Sequence, residues 1–193
     1  MSVQLYKPNP NNTGIAFAFK RGQDKKTKEA RLYVDAIKQA SWDKKTRSGS
    51  FKENQDDPEK NITVKFSLFE CGEIIRALEN GTEWDSFHSF DSDKTTIKVG
   101  PYARKAKKSF KNEKTGKFEE KWIEIPGFSF GLTRNGTNNF RVGIEQGEAE
   151  VICTYLKKII LEALEHRDKE TQKRLKQSWE KQKAESESED APF

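Results

Sequence analysis

The feature that most restricts the fold is a change of hydrophobic period that occurs twice along the chain. In each half, apolar residues first alternate with polar or small ones, as in a half-buried strand, and then recur at helical spacing. The first change comes at Ser67–Glu70, which has the form of a helix capping box, and Gly81 is expected to end that helix. The second comes after the Asn135-Gly136 hairpin signal, where a helix is predicted over about residues 147–167. The sequence therefore predicts an α+β fold of two successive antiparallel β-meander-plus-helix halves.

Composition changes at both ends of this body. The first residues are rich in Pro and Asn, whereas the residues between Arg167 and Ala184 are charged, with only Leu175 and Trp179 apolar. We therefore expect an irregular N-terminal arm, one folded domain, a charged helical extension and a disordered acidic tail. These four parts are assigned to residues 1–12, 13–167, 168–183 and 184–193, respectively.

The net charge of +5 is unevenly distributed along the chain. Of the 31 acidic residues, four lie in residues 184–193, which contain no base, so that the rest of the chain carries a net charge of +9. A basic body predicts a polyanionic partner, and an acidic end predicts a separate task for the tail. A soluble protein with a solvated tail is the alternative explanation.

Basic residues form three clusters where the predicted strands connect. The richest spans residues 104–117, where seven bases accompany one acid, and the others lie at residues 20–28 and 42–52. Unpaired nucleic acid needs cations for its phosphates and exposed rings for its bases. The residues predicted to bind it are Lys20, Arg21, Lys26, Lys28, Trp42, Lys44, Lys45, Arg47, Phe51, Lys52, Arg104, Lys105, Lys107, Lys108, Phe110, Lys111, Lys114, Lys117 and Phe118.

Strand phase separates the rings expected in the core from those expected to stack on bases. The rings that alternate with polar or small residues, and are predicted to be buried, are Phe17, Phe19, Phe66, Phe128, Phe130 and Phe140. The rings in loop-like surroundings, predicted to stack, are Trp42, Phe51, Phe110 and Phe118. Trp122 fits either group. The alternative is that all rings are core and that the lysines belong to ordinary solvated loops.

The last residues combine acids with an apolar end. Such a tail is poor at folding but suited to docking, because a terminal ring can enter a pocket while acids lie along a basic rim. It resembles the acidic, Pro-Phe-ending tip of bacterial single-stranded DNA-binding proteins, which binds replication and repair enzymes. A solubilising tail is the alternative. The residues predicted to bind partners are Glu187, Glu189, Asp190, Pro192 and Phe193.

Three segments of the body follow one another in a recognisable order: residues 67–75 as a first helix, Trp84–His88 as the strand after it, and Ala149–Leu164 as a final apolar helix. In these segments, and over about residues 13–166, the body resembles the Whirly family of single-stranded DNA-binding proteins. Lys26–Leu32 is a loose version of the family's basic KGKAAL-type motif, with Glu29 inserted. The resemblance implies a binding surface at the sheet edge and a homo-oligomer, commonly a tetramer.

The sequence shows few features of an enzyme or of a secreted protein. His88 and His166 do not lie at metal-ligand spacing from Cys71 or Cys153, and no phosphate-binding glycine loop occurs. We therefore expect no enzyme activity, no metal and no cofactor. Without an apolar leader or membrane span, the cysteines are expected to be reduced core residues of a cytoplasmic protein, at a nucleoid or viral replication site.

The sequence favours a protein that coats single-stranded DNA with little sequence preference during replication, recombination or repair. Its tail would recruit replication or repair proteins, and the body would form a homo-oligomer. Two alternatives remain open: an RNA-binding or transcription-regulating module on the same fold, and an adaptor that acts through its tail without nucleic acid.

Overall fold

The computed structural model describes the backbone of residues 2–111 and 116–189, with side chains as far as residue 182. In this part of the chain ten strands and two α-helices follow one another in the order β1 Ser2–Lys7, β2 Ile15–Gln23, β3 Ala30–Lys38, β4 Ser41–Asp43, β5 Ser48–Ser50, β6 Asn61–Phe66, α1 Leu68–Asn80, β7 Trp84–Phe90, β8 Asp93–Lys111, β9 Phe118–Arg134, β10 Asn138–Ile144 and α2 Gln146–Glu189.

The strands form two four-stranded antiparallel sheets, each followed by a helix. The first sheet has the order β1-β2-β3-β6 and leads into α1, and the second has the order β10-β9-β8-β7 and leads into α2. Strands β4 and β5 form a separate small hairpin. The predicted α+β fold of two meander-plus-helix halves is therefore confirmed.

The core lies between the inner faces of the two sheets and the helices. Phe130 is fully buried, and its ring meets three others from the first sheet in edge-to-face contacts. The centroid distances are 5.8 Å to Phe17, 5.4 Å to Phe19 and 6.1 Å to Phe66. Five of the six rings predicted to be core are buried, and Phe128 packs against the core partly buried.

Helix α1 begins at the predicted capping box. Ser67 Oγ accepts a hydrogen bond from the Glu70 N–H at 3.2 Å, and a Glu70 carboxylate oxygen accepts one from the Ser67 N–H at 2.9 Å. The other carboxylate oxygen lies 2.6 Å from His88 Nε2, which joins the helix start to β7. Burial alone would raise the pKa of Glu70, but the bonds from Ser67 and His88 outweigh it and lower that pKa. Gly81, at φ +65°, ends the helix as predicted.

The prediction of an irregular N-terminal arm is wrong for residues 2–7. These residues form the edge strand β1, which pairs with β2 from Ser2 opposite Lys20 to Lys7 opposite Ile15. Only Val3 and Leu5 mark the inner face, so the alternation is too short to be recognised beside the Pro and Asn residues that follow. Pairing with an already formed neighbour supplies the order that the local sequence lacks.

The largest difference from expectation is in β8 and β9. Residues 104–117 were predicted to connect strands, yet β8 and β9 pair without a break from Thr95 opposite Arg134 to Lys111 opposite Phe118. Strand β7 pairs only as far as Val99 and β10 only as far as Phe128. Residues 101–111 and 118–127 therefore form a two-stranded ribbon beyond the sheet, which we call the arm. Pro126 is tolerated because no strand of the described residues pairs with the outer edges of this ribbon.

Helix α2 is longer than the pattern of apolar residues predicts. Its backbone is helical from Gln146 through the predicted charged extension to Glu189, so the helix passes the boundary predicted at residue 184. The side chains of the predicted tail, together with Asp190, Pro192 and Phe193 as a whole, lie outside the described residues. Neither described helix is long and apolar enough to cross a membrane.

Candidate nucleic-acid interface

The arm carries the richest basic cluster. Its β8 strand contributes five cations and no acid within residues 101–111, whereas its β9 strand carries three glutamates and Lys121 within residues 118–127. The ribbon is therefore basic along one strand and mixed along the other. Lys114 lies outside the described residues. The β8 cations are Arg104, Lys105, Lys107, Lys108 and Lys111.

The two faces of the arm differ because residues directly opposite each other in an antiparallel pair project to the same side. Trp122 lies opposite Lys107, and Phe118 lies opposite Lys111, so these four side chains share one face, which we call the ring face. The indole of Trp122 is 66% exposed and Phe118 is 74% exposed. The Lys107 ammonium lies 5.5 Å from the centroid of the Trp122 ring and 3.3 Å from a Glu120 carboxylate oxygen. Each open ring therefore lies beside a lysine of β8, while Glu120 and Glu124 occupy the alternate β9 positions of the same face.

Phe110 does not belong to the ring face. It lies opposite Glu119, one position away from the pair of Lys111 and Phe118, and therefore projects from the other side of the ribbon. Phe110 and Phe118 are both exposed, as predicted for stacking, but they cannot line one continuous surface. Trp122, which the sequence left undecided, is an exposed ring.

The cluster at residues 42–52 lies on and after the β4–β5 hairpin. Lys44, Lys45 and Arg47 are exposed at its turn, and Lys52 is exposed just beyond it. Asp43 closes the turn by accepting hydrogen bonds from the N–H groups of Lys45 at 2.7 Å and Thr46 at 3.3 Å, and these bonds lower its pKa.

The two rings of this cluster are more covered than predicted. Trp42 is half-buried, and so is Phe51, whose ring centroid lies 5.0 Å from that of Tyr6. Tyr6 is the more exposed ring of that pair. The sequence analysis missed Tyr6 because it predicted an irregular N-terminal segment where the structure has β1.

The cluster at residues 20–28 is partly neutralised within the molecule. Lys20 pairs with Asp35 across the outer face of the first sheet, and Arg21 pairs with Glu162 of α2. Lys26 and Lys28 are exposed on the β2–β3 turn and pair with no carboxylate in the described part of the chain. We therefore regard these two lysines as the stronger candidates of the cluster.

Asp24 organises the β2–β3 turn. Its carboxylate accepts hydrogen bonds from Lys65 Nζ at 2.7 Å and from the N–H of Thr27 at 3.1 Å. These bonds, the one from Lys65 above all, hold the pKa of Asp24 well below its usual range.

The three clusters do not form a single patch. The turn at residues 20–28 and the hairpin at residues 42–52 lie at opposite ends of β3, which spans roughly 26 Å. The base of the arm lies at the hairpin's end of the molecule, because Arg104 pairs with Glu145 at 3.0 Å, and Lys7, at the adjacent end of β1, pairs with Glu148. The structure thus brings two of the clusters to one end and leaves the third at the other.

Besides Tyr6, four further candidate side chains escaped the sequence analysis. Phe87, Phe90 and Tyr102 are exposed rings of the second sheet and arm base, and Arg141 is an exposed cation beside Tyr102. Strand alternation in β7 could have identified Phe87 as exposed, because Phe87 projects from the same side of the strand as the polar residues Asp85 and Ser89.

The cysteines are core residues of the two helices. Cys71 and Cys153 are buried and form no disulfide. Burial raises the pKa of the Cys71 thiol to about 12 and that of Cys153 to about 11. Both thiols therefore stay protonated and unreactive at neutral pH. Among the described residues, no group of three or more His, Cys, Asp or Glu side chains is placed to hold a metal ion.

The unit of an antiparallel sheet followed by a helix occurs twice, so the chain belongs to the class of α+β folds with internal duplication. Comparison with solved structures identifies the particular fold. The chain is similar to the plant transcriptional regulator PBF-2, at 13% identity over 87% of this chain and 84% of that one, with a TM-score of 0.51. It is also similar to WHY3 and WHY1 from Arabidopsis thaliana, each at 12% identity and a TM-score of 0.52. The alignments cover 89% and 91% of this chain, respectively, and 92% of each of those chains.

The protein therefore has the Whirly fold, as the resemblance of its helices predicted. The sequence matches no protein-family model and no curated protein sequence significantly.

Proposed function

We propose that the protein binds single-stranded DNA with little sequence preference and coats it during replication, recombination or repair. The observation that carries the proposal is the ring face of the arm, where Phe118 and Trp122 are exposed beside Lys107 and Lys111. Rings stack on any unpaired base, and lysines neutralise the phosphates between them. Base pairs of a duplex do not offer their faces in this way, so the surface favours single strands.

A binding role, rather than catalysis, is part of this proposal. Glu187, Glu189, Asp190, Pro192 and Phe193 of the acidic tip would dock on replication or repair proteins. The protein would act as a homo-oligomer in the cytoplasm, at a nucleoid or a viral replication site.

The second candidate is a transcription-regulating or RNA-binding module on the same fold. Its support is the similarity to PBF-2, which is described as a plant transcriptional regulator. Competition between DNA and RNA strands of the same sequence tests the RNA-binding form of this candidate, because a preference for ribose favours it.

The test of single-strand binding is a titration with single- and double-stranded oligonucleotides at several salt concentrations. We expect the single strand to bind more tightly than the duplex, and its affinity to fall as salt rises because phosphate contacts release counterions. Fluorescence anisotropy of labelled strands measures both effects. Equal affinity for duplex, or an affinity independent of salt, would contradict the proposal.

Deletion of residues 184–193 should separate the two proposed tasks. The deletion removes four acids and no base, so strand binding should stay the same or become tighter, while binding of replication or repair proteins is lost. The same oligonucleotide titration, run beside a pull-down with candidate repair enzymes, makes the comparison. Loss of strand binding in the shortened protein would show that the tail is not a separate docking element.

A further inference from the structure

The outer face of the second sheet, away from the core, contains a groove of about 600 Å³. Its floor includes Gly131 on β9, and its sides include Lys98 on β8 and Arg141 on β10. We call this hollow the outer groove. It lies on the body of the molecule, apart from the ring face of the arm.

Strand register places two cations on either side of one glycine. Lys98 lies opposite Gly131, and Gly131 lies opposite Arg141. Because neighbouring strands are about 4.8 Å apart, the two cationic residues are separated by roughly 10 Å of backbone. Both side chains are exposed, and neither pairs with a carboxylate among the residues that the structure describes. An anion seated above Gly131 would be within reach of both.

The Arg141 side chain passes beside Gly131, where its Cγ would lie 3.9 Å from an added Cβ, and its guanidinium is held next to Ser129 and Tyr102. Its guanidinium donates a hydrogen bond to Ser129 Oγ at 3.1 Å and lies 5.3 Å from the centroid of the Tyr102 ring. The acids of the groove, Glu83 and Asp85, lie at its β7 end, where Asp85 is opposite Lys98. The positive potential is therefore strongest on the Arg141 side.

The fold itself does not require a glycine at position 131. Its φ is not in the left-handed region, and an added Cβ would meet nothing closer than the Lys98 carbonyl oxygen at 3.8 Å. In contrast, a Cβ at Gly127 would lie 2.5 Å from the Ile144 carbonyl oxygen. A glycine inside a strand weakens that strand, and it often occurs where a ligand approaches the backbone closely. Gly131 leaves open a space in which an added Cβ would make only ordinary van der Waals contacts with the described residues.

Tyr102 supplies a ring beside this space. It projects from the same side of β8 as Lys98, four residues and roughly 13 Å further along the strand. The ring is 44% exposed, and it lies over Gly143, where an added Cβ would be 3.8 Å from it. The ring thus lies against the sheet at Gly143 with the Arg141 guanidinium 5.3 Å from its centroid, and its exposed part is available to a flat partner.

We infer that the outer groove is a second contact site for the single strand, with a phosphate above Gly131 between Lys98 and Arg141 and a neighbouring base stacked on Tyr102. The inference rests on the proposed function and gives the strand a defined position on the body. Backbone approach over a glycine suits a flexible single strand, whose phosphates can enter a hollow that a rigid duplex would bridge.

Three variants test the groove with full-length protein and labelled oligo(dT). Gly131→Val fills the space with a side chain that strands favour, so we expect about tenfold weaker binding at an unchanged or higher melting temperature. Tyr102→Leu should weaken binding about 5-fold to 100-fold. Arg141→Gln should lower the slope of log affinity against log salt by about 0.7. Gly131→Ala serves as a milder filling if the valine disturbs folding.

Matched controls are available on the helices. Gly72→Ala adds a side chain where no atom lies within 4 Å, and Lys173→Gln removes an exposed cation from α2. Both should bind oligo(dT) as the wild type does. If the wild type binds oligo(dT) and the three groove variants bind equally well, the groove site is overturned while the proposed function stands. If the wild type binds no single strand, the proposed function fails, and the groove site fails with it.

Discussion

Alanine at both exposed rings of the ring face, in the double variant Phe118→Ala/Trp122→Ala, is expected to abolish most single-strand binding. Each stacked base is worth about 1–3 kcal/mol, so loss of two platforms should cost about 2–6 kcal/mol. Since about 1.4 kcal/mol is a tenfold change, affinity should fall at least about 30-fold. The loss should persist at high salt, because stacking, unlike phosphate contact, is not screened. Oligo(dT) anisotropy titrations at low and high salt measure it.

The arm and helix α2 offer two controls for that variant. Phe110→Ala removes a ring from the opposite face of the same ribbon, and Trp179→Ala removes an indole that is 75% exposed on α2. Both should keep most of the affinity if the ring face holds the strand. Equal losses for Phe110→Ala and the double variant would show that the whole ribbon, rather than one face of it, contacts DNA.

Phe130→Ala is expected to lower the free energy of unfolding by about 3–5 kcal/mol, the usual cost of removing a buried phenyl ring and leaving a cavity. Phe130 is fully buried and contacts Phe17, Phe19 and Phe66, so it joins the inner faces of both sheets. A loss of this size is a large part of the stability of an ordinary domain. Urea unfolding followed by circular dichroism measures it.

Two other substitutions serve as controls for Phe130→Ala. Phe130→Leu keeps most of the volume and should cost less than about 1.5 kcal/mol if the core can repack. Phe87→Ala removes an exposed ring from the same sheet and should change stability by less than about 0.5 kcal/mol. A small effect of Phe130→Ala would mean that the two sheets do not depend on this contact.

Elements with one buried face were predictable because their apolar residues repeat at the period of the element. Phe17 and Phe19 in β2 and Phe140 in β10 show the strand period, and all three are buried. The start of α1 was predictable to the residue, because the capping box is formed by Ser67 and Glu70, which are only three positions apart.

Elements without a buried face were not predictable. The β8 strand of the arm has cations on both of its sides, so its alternation carries no apolar signal. It is a strand because each of its residues from Pro101 to Lys111 has a partner on β9. Edge strand β1 was missed for a related reason: its order depends on pairing with β2.

The same division holds for the candidate interface. The sequence identified the basic clusters and the exposed rings Phe110 and Phe118, but not the faces of these rings or the ion pairs of the cations. Lys20 and Arg21 are paired with Asp35 and Glu162, partners that lie 15 or more positions away along the chain. The separation of Phe110 from Phe118 depends on the register of β8 and β9.

The sequence by itself determined the two sheet-and-helix halves, the core rings and the basic character of the body, because periodicity and charge are local properties of the chain. Only the tertiary structure decided that the arm is a ribbon, which rings share a face with lysines, and that Lys98, Gly131 and Arg141 lie in one row. Those relations are set by the register of strands that lie far apart in the sequence. The register is made by backbone hydrogen bonds, which are the same for every side chain, so the side-chain sequence does not reveal which residues become neighbours.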